Sequence, residues 1–347
     1  MANFYWYGGT GNWSDYTNHW SANSGNSPSS PKANAPTSAD NCYFDVNSFT
    51  GASQIVTVDA TANCKDMDWT GVTNTPQLAG GPTLFGDVTM SANMTMNSSG
   101  GTLNVCGADS HLTTNGLNVQ FDIVVWAGGK LTLSDNLITN NRISLYVRQT
   151  GILDTNGKTF TGKSVKIDQT GATTLTLGSS TLNLSDGWYY TGSNLTLTAN
   201  TATINITGTG AFTGGGATTY YNVNLNGTAH TISGSNTFSN LTFKADTTQT
   251  ITFTDGTTQT VTTPVITGSS GKVKTLQGSS TAGWNIIKSG GGLVSLNYMS
   301  ISYSKATPAF WQAGANSTNG GNNSGWLWGG PGIVGVQSIT GIQSITF

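Results

Sequence analysis

The chain has 347 residues, 46 of them glycine, with 8% charged side chains and a net charge of −2, against roughly 25% charged in an average globular protein. All 15 acidic residues are Asp, and Thr, Ser, Asn and Gly stand where helix formers would, so extended helices are excluded. A 10% share of aromatic residues argues against disorder, and only two Arg, Arg142 and Arg148, with no basic patch give nucleic-acid binding no support.

Residues 1–50 form an aromatic, glycine-rich opening that reads as an N-terminal cap. Trp6, Trp13 and Trp20 lie within the first twenty residues, and Pro28, Pro31 and Pro36 mark a loop after them. The first residues, MANFYWYGG, have neither a basic n-region nor an apolar h-region, so no ordinary secretory signal is expected. No run approaches the length of a membrane-spanning helix.

From 51 to 305 the pattern changes to short alternating runs such as QIVTVDA, KLTLSDNL, TLNLS and NLTFKA, separated by Gly, Asn or Asp. Period-2 alternation over four to eight residues is the strand signal. Its recurrence about every 20–25 residues matches one coil of a solenoid. GILDTNGKTFTG (151–162) shows strand, Asn-Gly turn and strand in one stretch. The fold class predicted is all-β, a parallel β-helix or solenoid with aromatic caps; a β-sandwich or jelly roll is the alternative. At 306–330 the alternation breaks and Trp311, Trp326 and Trp328 cluster, which reads as a C-terminal cap over open coils. Residues 331–347 end in GVQSITGIQSITF. Val336, Ile339, Ile342, Ile345 and Phe347 make this strip too apolar for a free end, and it reads as an assembly tail that trimerises the chain or pairs with a neighbouring subunit by strand addition.

The opening spells Trp6-x-Gly8-Gly9-x-Gly11-x-Trp13-Ser14, then Trp20, then Pro36-Thr37-x-x-Asp40 and Phe44. This resembles the start that precedes β-solenoids in bacterial autotransporter-like surface proteins. It is also similar to a group of phage and metagenomic proteins with LDTNGKT- and FSNLTF-like coils that end near GNNSGW, here 321–326. The resemblance runs from the opening to Trp326 and implies a β-helical surface or virion structural protein. An autotransporter would also carry a signal peptide and a translocator barrel, neither of which is visible.

Candidate chemistry is sparse. The Asp residues are dispersed, whereas polysaccharide-cleaving β-helices need carboxylates clustered on one face. His19, His111 and His230 stand alone and read as surface or cap residues, and no G-x-S-x-G or phosphate-loop lysine occurs. Cys42, Cys64 and Cys106 read as buried small hydrophobes. Asp66 and Asp68 flank Met67 on one strand and read as exposed carboxylates, so neither metal nor cofactor is expected. Trp188, Tyr190 and Tyr220 are weak candidates for glycan contact, although adjacent aromatics on a strand point to opposite faces. The function expected is a bacteriophage virion structural protein (fibre, spike or capsid-associated) that acts by assembly and host-surface attachment. It would be assembled in the host cytoplasm and released by lysis, with itself as a homotrimer, other virion subunits or a host glycan as partners. A bacterial surface adhesin and a polysaccharide-degrading enzyme are the alternatives.

Overall fold

A computed structural model describes residues 1–25, 30–97, 101–139, 144–168, 171–192, 194–215 and 218–329. The assembly-tail residues Val336, Ile339, Ile342, Ile345 and Phe347 lie outside them. The chain winds into a parallel β-solenoid of about 12 coils, so the sandwich alternative falls. At the spacing of about 4.8 Å between paired strands, the stack is about 58 Å long.

Between residues 130 and 213 each coil contributes a strand to three faces, and the first-face ladder ends at Leu195–Thr198. In one coil the first-face strand is Ile152–Asp154, and the ten-residue strand Thr159–Asp168 serves the other two. It bends between Gly162 and Ser164, where the register with Thr181–Tyr190 shifts. Each coil places an alternating segment directly over the last, so equivalent residues stack in columns. On the first face Leu131, Leu153, Leu175 and Leu197 pair in succession. On the second, Phe160, Leu182, Ile204, Val223 and Leu241 do so. On the third, Ile123, Leu145, Val165, Trp188, Phe212, Ile232 and Phe253 form one inward column. All of these except the partly buried Leu197 are buried, in one continuous core cluster. The Asn-Gly turn behaves as its residues dictate: Asn156 and Gly157 have φ of +49° and +69°, which these two types tolerate best.

Outward columns are polar, and on the second face they bond along the long axis. Asn224 Nδ2 donates to Asn205 Oδ1 at 2.7 Å, and Asn205 Nδ2 to Asn183 Oδ1 at 2.8 Å. A parallel column repeats the scheme, with Asn240 donating to Asn222 at 2.7 Å. Each amide donates to the coil below and accepts from the coil above, so one side-chain type satisfies itself indefinitely.

The expected boundaries near 50 and 305 require correction. Solenoid pairing already begins in the opening: Asn3–Trp6 runs parallel to Asn41–Tyr43, and Gly11–Asn12 parallel to Ile55–Thr57. The capping element is narrower, the excursion from Trp13 to Asp40, whose strand Trp20–Ser21 closes the first-face edge antiparallel to Asn3–Trp6. At the other end Val294–Leu296, Trp311–Ala313 and Trp326–Trp328 stack in parallel register. Residues 306–328 therefore continue the coil, with Trp311 and Trp326 as core residues. Aromatic side chains fill both ends because end coils must cover more apolar area per residue than central ones.

The residues of the opening motif build this closure. Trp6 Nε1–H donates to the Gly9 carbonyl at 2.8 Å, and Trp20 Nε1–H to the Trp13 carbonyl at 2.9 Å. A Cβ on Gly11 would stand 1.9 Å from His19 Nε2. Asp40 accepts the Ala2 N–H at 2.9 Å, and the Thr37 N–H and hydroxyl at 3.1 and 2.6 Å. That network ties the start of the chain to the end of the excursion. Trp20 is fully buried and contacts Phe4, Trp6, Trp13 and Phe44. Replacing Trp20 by Ala should cost about 3–5 kcal/mol, read by chemical denaturation, with amide exchange accelerating first in residues 3–12.

Candidate functional site

The third face departs from the Thr/Asn rule over coils that span residues 102–190. Its strands are Thr102–Val105, Asp122–Val125, Ser144–Arg148, Thr159–Asp168 and Thr181–Tyr190. Their register puts Asn104, Val124, Tyr146, Lys166 and Tyr189 in one outward column. Trp126, Arg148 and Asp168 lie one outward position along the same strands, since Val125 pairs with Val147 and Arg148 with Asp168. Alternation sends these side chains out because Ile123, Leu145, Val165 and Trp188 go in.

The outward side chains interlock. The Arg148 guanidinium lies 5.0 Å from the Trp126 ring and 5.3 Å from the Tyr146 ring. Lys166 Nζ sits between rings, 5.2 Å from Tyr146 and 5.9 Å from Tyr189. Rings and cations at these distances attract through the ring quadrupole. Asp168 Oδ1 faces Arg148 Nε at 3.4 Å, which offsets that charge. Trp126 Nε1–H donates to Asn104 Oδ1 at 2.8 Å, and the Tyr189 hydroxyl to Asp186 Oδ1 at 2.8 Å. Burial, and then this bond to Asp186, push the Tyr189 hydroxyl up to about 12. A hydroxyl held protonated in this way is a donor and a poor base.

The sequence-derived glycan candidates sit elsewhere, and the structure corrects them. Trp188 and Tyr220 are 0% exposed and Tyr190 6%. Trp188 and Tyr220 pack with Phe212 and Phe238 in an interior aromatic column. The Tyr190 hydroxyl accepts the Leu195 N–H at 3.0 Å beside a hollow of about 920 Å³. The parity argument holds, but the outward members of the pairs are the half-buried Tyr189 and the exposed Tyr221. Trp188 turns in because its strand position stacks on Val165 and under Phe212. The signal that would have found the ladder is outward parity at the coil interval: Tyr146, Lys166 and Tyr189 recur at about one coil's length.

The remaining candidates have structural partners. His19 stacks on Trp6 at 4.7 Å, and His111 pairs with Asp87 at 3.0 Å. His230, expected at the surface, is buried in the strand Ala229–Ser233. Its Nε2 accepts the Gly227 N–H at 2.9 Å, which leaves Nδ1–H to donate to the Gly210 carbonyl at 3.1 Å. Cys42 and Cys64 are buried and Cys106 half-buried. Asp66 accepts the Asp87 N–H and pairs with Lys65, each at 2.9 Å, while Asp68 accepts the Thr70 N–H at 2.7 Å. Among the described residues no cluster of three or more His, Cys or Asp could hold a metal. No protein-family model, curated protein or solved structure matches the chain.

Burial lowers the His230 pKa below its ordinary 6.5. As pH falls below the unfolded-state value, the unfolded chain takes up a proton that folded His230 resists. Stability supplied by the neutral ring is therefore complete above about pH 6.5 and declines as pH drops toward the lowered folded value. His230→Gln should flatten the dependence of the denaturation midpoint on pH in that acidic window, relative to the parent.

Proposed function

We propose that the chain is a structural protein of a bacteriophage particle, a fibre, spike or capsid-associated element that works by assembly. The observation that carries this reading is the set of overlapping parallel ladders that runs from Asn3 to Trp328 around one core. Such a stack is a stiff rod, and its residues are spent on length and self-satisfaction. The second-face amide columns fix neighbouring coils to each other, and the opening motif closes one end. The similarity of the opening and of the LDTNGKT-type coils to phage and metagenomic solenoids points the same way.

Along the third face the carboxylates have holding roles. Asp122 accepts the Ser144 N–H at 2.6 Å, Asp168 faces Arg148, and Asp186 takes the Tyr189 hydroxyl. These contacts favour a binding or structural face over a polysaccharide-cleaving one, which would free a carboxylate or a basic group for proton transfer. Fractionation separates the particle from the cell surface. Antibody to the chain should follow intact particles through a density gradient of source lysate. Recovery with cell envelopes alone would favour the adhesin reading.

Assembly through residues 331–347 belongs to the same proposal. Light scattering of the full chain beside one ending at Gly330 should give a trimer that falls to a monomer. Joint replacement of Ile339, Ile342 and Ile345 by Asp should do the same. Unchanged mass and unchanged incorporation into particles would remove the tail from the account.

A further inference from the structure

In the outward column of the third face, Val124 is the small residue between Asn104 and Tyr146. It is 5% exposed, and its short side chain leaves a hollow of about 330 Å³ between coils. Val124 forms an apolar floor, Trp126 and Tyr146 supply aromatic walls, and Thr102, Asn104, Asp122 and Arg148 complete the lining. We propose that this hollow is a binding subsite for one uncharged pyranose ring of a glycan.

The shape argument comes first. The volume is at the low end of small-ligand pockets, which span about 300–1,000 Å³, so it suits one ring rather than a threaded chain. A pyranose has a flat face of C–H groups and an edge of hydroxyls. The aromatic wall accepts the first, since stacking on a ring removes apolar surface from water, while Val124 lies beneath almost fully covered and sets the depth. The hydroxyl edge then needs donors and acceptors together.

The hollow offers both. The Trp126 indole fixes Asn104 Oδ1, and this orients Asn104 Nδ2 as a weakly engaged donor, 3.5 Å from the Thr102 carbonyl. Asp122 Oδ1 holds the Ser144 N–H at 2.6 Å, and a carboxylate has further lone pairs with which to accept a hydroxyl. Arg148 is immobilised across the two aromatic rings and against Asp168. A planar guanidinium in this setting gives fixed N–H donors at little entropic cost.

Charge selects the class. The cations Arg148 and Lys166 are matched by Asp122, Asp168 and Asp186 on the same face, and the whole chain carries −2. A polyanion would gain no net attraction and would meet the Asp122 carboxylate. A neutral polyol uses donors and acceptors equally. The subsite does not depend on whether the rod is mounted on a particle or on a cell.

Saturation-transfer NMR on the full chain tests this with methyl glycosides of glucose, galactose, mannose and N-acetylglucosamine, and with methyl glucuronide as the charged comparison. Transfer to at least one neutral glycoside is expected. It should fall about tenfold or more in Trp126→Ala and in Val124→Phe, which fills the hollow from an outward position. It should persist in Asn205→Ala on the second face. Val124→Phe should keep the parental thermal midpoint, so it decides the matter if Trp126→Ala folds poorly. Transfer to the glucuronide alone, transfer to none of the sugars, or undiminished transfer in Val124→Phe would overturn the assignment.

Discussion

Everything in this molecule depends on in-register parallel stacking at a fixed spacing. Once a coil lies directly on the one below, each residue acquires two neighbours of the same structural position. Inward positions must then be filled in every coil, because a small residue in one of them opens a void bounded by the coils on either side. Outward positions must be self-compatible, because whatever stands there meets its counterparts at about 4.8 Å. Leu131–Leu153–Leu175–Leu197 answers the first demand and Asn183–Asn205–Asn224 the second. This also explains the poverty of charge, since a like-charged column would repel itself at every step. Where charge does occur on the third face, opposite signs and aromatic rings alternate.

The same rule accounts for what was legible from sequence. Alternation, Gly/Asn punctuation and the recurrence interval are local, so the all-β solenoid could be read from runs such as TLNLS and NLTFKA. The opening motif could be assigned to end closure because Trp6, Gly9 and Gly11 engage groups within about a dozen residues, whereas the bond from the Ala2 N–H to Asp40 spans the whole excursion. The boundaries at 50 and 305 were misplaced for a physical reason. Aromatic density marks the ends of the core, and end coils are still coils. Asn3–Trp6 pairs with Asn41–Tyr43 across the excursion, a contact that composition does not display.

The candidate site was hidden by parity. Trp188, Tyr189 and Tyr190 are equally conspicuous in one dimension, and only the register with Val165 and Phe212 tells which of them face in. Trp126 stands as a single aromatic in sequence, and Tyr146, Arg148 and Lys166 are scattered among ordinary strand residues. Their relation exists only between coils, at separations that vary with each turn. His230 shows the converse. Its Thr-rich surroundings suggest exposure, yet two backbone bonds and burial make it an interior residue.

A stack of this kind also constrains where function can arise. A continuous column of alike outward residues presents a uniform surface with no preferred point for a ligand. Recognition needs a break in the column that does not break the core. Val124 provides one: it keeps strand geometry and the pairing of Ile123 and Val125 with their neighbours, and it withholds only outward bulk. The rings above and beside it cannot collapse into the gap, because Tyr146 is engaged by Lys166 and Arg148, and Trp126 by Arg148 and Asn104. The cation–aromatic ladder is then the support that keeps a hollow open on an otherwise flat face. Rigidity and recognition follow from one arrangement, in which the contacts that stiffen the rod also hold the walls of the site in place.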